Sequence, residues 1–292
     1  MRWAELTIEA TEQSSDAVSN ILVEEGCAGT ALSTPSSSNS DSALDLVGYL
    51  PVDDRLEARL GSISQRVRRL PSLGLKIRSP EIGVKWVQDE KWATAWKKFF
   101  KPLRVGKIII KPSWESYSPQ RGDVVVELDP GMAFGTGTHP TTQLCLLALQ
   151  KLIKGGETVL DMGTGSGILA LASVHLGAAR VVGLDIDPIA VDAANKNAAK
   201  AGFANLIKAQ VADSPEAFDG TADVVLANIV ANVIILLAEG LKAKVKQGGT
   251  LVASGIIQER ASEVREKLEN AGFEVLDELH DGEWVALICK GV

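Results

Sequence analysis

Cysteine is scarce in this chain: only Cys27, Cys145 and Cys289 occur among 292 residues. They stand far apart, their number is odd and no Cys-x-x-Cys spacing appears. That excludes a disulfide scaffold and a cysteine-ligated metal module, and it predicts a reduced, cytoplasmic protein with no metal site. Long apolar runs are missing too. The longest, Val224 to Ala238, is interrupted by Asn228 and Asn232 and is shorter than the roughly 20 residues a membrane helix needs. The opening stretch, Met-Arg-Trp-Ala-Glu-Leu-Thr-Ile-Glu, alternates and carries acids, so no signal peptide is expected. No internal repeat is visible. Basic charge is not in excess: 37 acidic against 30 basic side chains give a net charge of −7. This argues against dedicated nucleic-acid binding and suits a cationic substrate.

What is there reads as two domains joined by a distinct connector. Residues 1–80 carry net −3, residues 81–111 net +5 and residues 112–292 net −9. The first part predicts β-α-β-β-α-β, a small ferredoxin-like α+β domain. Its strands are expected at Trp3–Ile8, Ala28–Leu32, Ala43–Leu50 and Leu73–Ile77, and its helices at 13–25 and 52–70. Residues 81–101 form a basic linker in which Trp86, Trp92, Trp96, Phe99 and Phe100 crowd together. From Gln88 onward the aromatic spacing predicts one helical stripe, which packs on a neighbouring domain or docks a partner. Residues 102–292 alternate strand and helix, which predicts a parallel sheet with helices on both faces. The chain closes on a hairpin around Asp281-Gly282 that is expected to make an edge strand antiparallel. Such an ending is typical of class I, Rossmann-like methyltransferase folds and unlike nicotinamide-binding domains.

Chemistry concentrates in four stretches. Val159-Leu160-Asp161-Met162-Gly163-Thr164-Gly165-Ser166-Gly167 is a strand running into a glycine turn and a helix. Glycines there let the backbone take positive φ and approach a ligand closely. The spacing is Gly-x-Gly-x-Gly, with the third glycine one residue earlier than in a dinucleotide fingerprint. Asp185 ends the next strand, 22 residues after Gly163, where a carboxylate can accept both hydroxyls of a ribose. Asp187 before Pro188 reads as a helix cap. Asp213 is either a contact to adenine or a cap for the turn at Pro215. Asn228 ends the fourth strand at the mouth of the ligand crevice, and is either a helix cap or an amide that orients a nucleophile. The stretch Gly135-Thr136-Gly137-Thr138-His139-Pro140-Thr141-Thr142 reads as a helix start or as a lid carrying Thr142 to a cofactor. His139 within it is structural or an acid–base group.

Taken in order, LDPGMAFGTGTHPTT, DMGTGSGILALA, GLDIDPIAV and VLANIVAN resemble the ribosomal-protein-L-eleven methyltransferase family, and the domain pattern resembles it along the whole chain. The glycine turn often has cysteine where Thr164 stands. The resemblance implies an S-adenosylmethionine-dependent protein methyltransferase acting on lysine ε-amines and an N-terminal α-amine of that large-subunit ribosomal protein. It implies a small domain, 1–80, that grips the substrate, and a domain, 102–292, that transfers the methyl group. Thr142, Gly163, Asp185 and Asn228 are then the residues that contact S-adenosylmethionine, with Asn228 also catalytic. Other readings are a methyltransferase for another protein or a small amine, a nicotinamide oxidoreductase, and a non-catalytic ribosome-binding module.

Overall fold

A computed structural model describes residues 2–11, 13–27, 30–33, 44–52, 55–88, 101–129 and 137–292. The chain divides into two compact units, one before residue 101 and one after it.

The first unit is a four-stranded antiparallel sheet of β1 (Arg2–Ala10), β2 (Thr30–Ser33), β3 (Leu44–Pro51) and β4 (Ile82–Gln88), in the order β2-β3-β1-β4. Period-two alternation buries Ala4, Leu6, Ile8 and Ala10 of β1. They meet α1 (Ser15–Glu24) and α2 (Leu56–Arg69), which bury Val18, Ile21 and Leu22, and Leu56, Ile63 and Val67. The β-α-β-β-α-β order holds, and one placement in it is corrected. Leu70–Leu73 is a 3-10 turn and residues 75–77 are not a strand. The fourth strand is β4, residues the sequence assigned to the linker; it pairs with β1 from Arg2 to Ile8. The small domain therefore runs past residue 80. Gln88, the expected start of the aromatic helix, is the last residue of β4, and the rest of that expectation, residues 89–100, lies outside the described residues.

The second unit opens with a short sheet, β5 (Leu103–Val105), β6 (Ile108–Lys111) and β7 (Val124–Glu127). β5 and β6 form a hairpin, and β7 pairs parallel to β6. Then follow α3 (Pro140–Leu152), β8 (Thr158–Met162), α4 (Ile168–Leu176), β9 (Arg180–Asp185), α5 (Pro188–Lys200), β10 (Ile207–Val211), β11 (Ala222–Asn228) and α6 (Ala231–Lys244). The chain ends with β12 (Val245–Ile257), α7 (Gln258–Asn270), β13 (Phe273–Asp281) and β14 (Trp284–Gly291). β8 to β14 make a seven-stranded sheet in the order β10-β9-β8-β11-β12-β14-β13. Its central strands are buried on both faces: Val159 joins the core formed with α3 and α4, while Leu160 joins the core formed with α6 and α7. This is why they read as apolar runs rather than alternating ones. β14 is the antiparallel strand, but it is not at the edge. It inserts between β12 and β13, so the edge strand β13 runs parallel to the rest. The chain order reverses between β8 and β11, and that reversal places a crevice at the carboxyl ends of these two strands.

Candidate active site

The glycine turn follows β8 directly. Gly163, Gly165 and Gly167 all have positive φ (76°, 54° and 80°). Gly163 has a second reason to lack a side chain, since a Cβ there would collide with Ile229 Cγ2. The N–H groups of Gly163 and Thr164 both donate to the Leu184 carbonyl, at 2.7 and 3.0 Å, which pins the turn to β9.

Asp185 sits where β9 ends. One carboxylate oxygen accepts the Gly165 N–H at 2.9 Å and the other the Asp187 N–H at 3.0 Å. An ionised carboxylate has about four acceptor positions, so each oxygen keeps one for a ligand hydroxyl. Asp187 is the expected cap of α5, accepting the Ile189 N–H at 2.8 Å. At Pro215 the capping side chain is Ser214, not Asp213.

Asn228 ends β11, half-buried, and its Nδ2 donates to Thr142 Oγ1 at 3.3 Å. It is not a helix cap: the cap position of α6 is Val230, and no side chain bonds there. Thr142 is buried in the first turn of α3. That helix starts at Pro140, where His139 caps it. His139 Nδ1 accepts the Thr141 N–H at 3.3 Å and lies 2.6 Å from Thr141 Oγ1, while the ring meets Trp284 edge-on with centroids 4.8 Å apart. These contacts support the structural reading of His139. Gly135 and Thr136, the first two residues of the expected lid, lie outside the described residues.

The structure thus gathers Thr142, Gly163, Asp185 and Asn228 around one crevice, at the ends of three neighbouring strands, β9, β8 and β11, and in the first turn of α3. It adds Asp161, whose role the sequence left open. Asp161 is fully buried in β8, on the face shared with Val159. Its Oδ2 accepts the Thr164 hydroxyl at 2.7 Å, and its Oδ1 has no partner among the described residues. Burial pushes its pKa up to about 7; the Thr164 bond works against that rise and the Asp185 charge adds to it. Thr164 is therefore more than a spacer in the turn, because among the described residues it is the one hydrogen-bond partner of a buried carboxyl. The residues gathered here include two carboxylates and no lysine or arginine. Such a site fits a ligand with cationic groups and a ribose, and opposes the pyrophosphate of a nicotinamide cofactor. No group of three or more His, Cys, Asp or Glu converges as a metal site among the described residues.

Comparison with known proteins agrees with this chemistry. A family model described as Ribosomal protein L11 methyltransferase (PrmA) matches residues 2–291. The chain is 39% identical to a protein named ribosomal protein L11 methyltransferase from Alkaliphilus oremlandii, with 99% of each chain covered. It is 40% identical to one of the same name from Desulforamulus reducens, again over 99% of each. Among solved structures it is similar to the ribosomal protein L11 methylase of Lactobacillus delbrueckii subsp. bulgaricus, with a TM-score of 0.62 and 32% identity over 66% of this chain and 100% of that one.

Proposed function

This chain belongs to the ribosomal protein L11 methyltransferase family, and from that premise we propose that it methylates lysine ε-amines and the N-terminal α-amine of ribosomal protein L11, with Asn228 orienting the amine. It is an S-adenosylmethionine-dependent methyltransferase of the class I fold. The observation that carries the site reading is the amide of Asn228 at the end of β11, tied to Thr142 on one side and adjoining the glycine turn through Ile229 on the other.

S-adenosylmethionine, when bound, supplies an electrophilic methyl group on a sulfonium. The residues that would hold it are Thr142, Gly163, Asp185 and Asn228, with Asp185 on the ribose hydroxyls, the glycine turn against the amino-acid end and Asp213 beside the adenine. The attacking amine needs a free lone pair. A lysine with a pKa of ~10.4 is neutral about once in 2,500 molecules at pH 7, so the neutral form costs ~4.6 kcal/mol. The amine gives its proton to solvent before transfer, and desolvation in the crevice lowers this cost. Asn228 Oδ1 then accepts an N–H of the neutral amine and turns its lone pair inward. An amide suits this task because it accepts a hydrogen bond without the full negative charge that would favour the ammonium. Alignment supplies the rest of the acceleration.

The small domain is the part we assign to holding the ribosomal protein. It carries none of the cofactor residues, and it exposes Val84 and Trp86 on β4, side chains of the kind that anchor protein partners. We place the enzyme in the cytoplasm with its substrate. The three cysteines are free and buried, and no helix among the described residues is long and apolar enough to cross a membrane. Labelled methyl transfer to purified L11, with mass spectrometry of the labelled chain, tests the reading. Label on lysine and the N-terminal amine is the expected result; label confined to other proteins would overturn the substrate, and cofactor binding without any transfer would overturn the activity.

A further inference from the structure

Ser254 was invisible as a functional residue in the sequence, where it ends an apolar strand. In the structure it is fully buried in β12, directly opposite Asn228 in the β11–β12 pairing. A hydroxyl in such a place is costly unless it is hydrogen-bonded. The Ser254 hydroxyl reaches across to α3 and donates to the Thr141 carbonyl at 3.2 Å. The buried Cys145 thiol, one turn further along α3, lies close to the same side chain. One hydroxyl therefore holds the first turn of α3 at the residue just before Thr142.

The backbone of the same residue works on the other partner. The Ser254 carbonyl accepts the Ile229 N–H at 3.1 Å, immediately after Asn228. Gly255 follows with φ +86°, and a Cβ there would strike the Ile229 carbonyl, so β12 presses directly on the Asn228–Ile229 link. On its far side the Ile229 side chain fills the space that a Gly163 side chain would take. Asn228 is thus wedged between β12 and the glycine turn, while its amide reaches Thr142 at 3.3 Å, near the outer limit for such a bond. A small shift of α3 against β12 would break it.

We propose that Ser254 is a positioning residue for methyl transfer, which fixes Thr142 through its hydroxyl and Asn228 through its carbonyl so that the two meet. This rests on the reading of Asn228 as the group that orients the amine. Removing the hydroxyl frees the first turn of α3 without touching any group in contact with cofactor or substrate. Because a misplacement near 1 Å costs about 100-fold in rate and the shift here is smaller, Ser254→Ala should lower kcat about 10-fold. The affinity for S-adenosylmethionine, measured by calorimetry on the full-length protein, should fall less than kcat does, since Asp185 and the glycine turn stay in place while Thr142 loosens.

The decisive measurement is a double-mutant cycle on kcat with L11 as substrate. If Ser254 acts through Asn228, the variant carrying both Ser254→Ala and Asn228→Ala is no slower than Asn228→Ala alone. Multiplying losses, or a Ser254→Ala enzyme with wild-type kcat, would overturn the positioning role while leaving that of Asn228 intact. A wild-type rate for Asn228→Ala would remove both. Should Ser254→Ala not fold, Ser254→Cys keeps the size with a weaker donor; the same cycle is then run with it, with a smaller loss of kcat expected and a wild-type kcat equally fatal to the proposal.

Discussion

Asp161→Asn removes a group whose ionisation opposes folding. In the folded protein burial holds the carboxyl at a pKa of about 7, against an ordinary 3.8. The unfolded chain gives up this proton near pH 4, the folded one near pH 7. Between those values the folded state binds more protons, so the contribution of Asp161 to stability falls as pH rises through the window and stays low above it. A difference of about 3 units corresponds to roughly 4 kcal/mol at full ionisation, with no discount for screening because the group is wholly buried. Asparagine does not titrate, and its carbonyl can still accept the Thr164 hydroxyl. Its advantage over aspartate should therefore widen by about 2 kcal/mol between about pH 5.5 and pH 8. For a unit of this size, that is about 4–8 °C of additional melting temperature. Paired thermal melts of the cofactor-free proteins at the two pH values give the answer. A gap that is constant, or that narrows as pH rises, would refute the assignment of a raised, titrating Asp161.

Three further outcomes follow from the site. Asp185→Ala removes the expected ribose acceptor together with the two backbone N–H bonds at the turn, so affinity for S-adenosylmethionine should fall about 10- to 150-fold; unchanged affinity by calorimetry would remove the ribose assignment. Asn228→Asp keeps the shape and adds a negative charge that favours the ammonium, so its rate should be low at neutral pH and recover with rising pH more steeply than wild type. Since α6 takes no side-chain cap, any loss in that variant cannot be a capping effect, and an ordinary pH profile would count against the catalytic role. A fragment of residues 102–292 should bind S-adenosylmethionine yet fail to methylate L11; methylation at the full-length rate would show that the small domain is not needed for recognition.

Local patterns in the sequence were enough to find the crevice. The glycine turn, Asp185 and the Asp187 cap lie within one strand–turn–helix–strand passage, where spacing along the chain determines spacing in the fold. Asn228 was legible because an amide that ends an apolar strand is unusual. The parallel sheet itself followed from the regular alternation of strand and helix.

The tertiary structure decided what depends on partners distant in sequence. Leu73-Gly74-Leu75-Lys76-Ile77 and Ile82-Gly83-Val84-Lys85-Trp86 have nearly the same alternating pattern, and either satisfies the local rule for a strand. Only the second pairs along β1, so pairing across more than 70 residues made the choice. The insertion of β14 between β12 and β13 was hidden for the same reason, since a hairpin pattern does not say which of its strands joins the sheet. Asp161 reads as one more acid next to a glycine turn until burial leaves one of its oxygens without a partner. Ser254 reads as one more residue of a strand until Thr141, more than a hundred residues earlier, supplies the carbonyl its hydroxyl needs. The sequence by itself determined where the proposed cofactor residues of the glycine turn and Asp185 stand, because that chemistry is carried by short-range backbone geometry. How strongly each group is charged, and what holds it in place, is set by burial and by contacts between distant segments, and those exist only once the chain has folded.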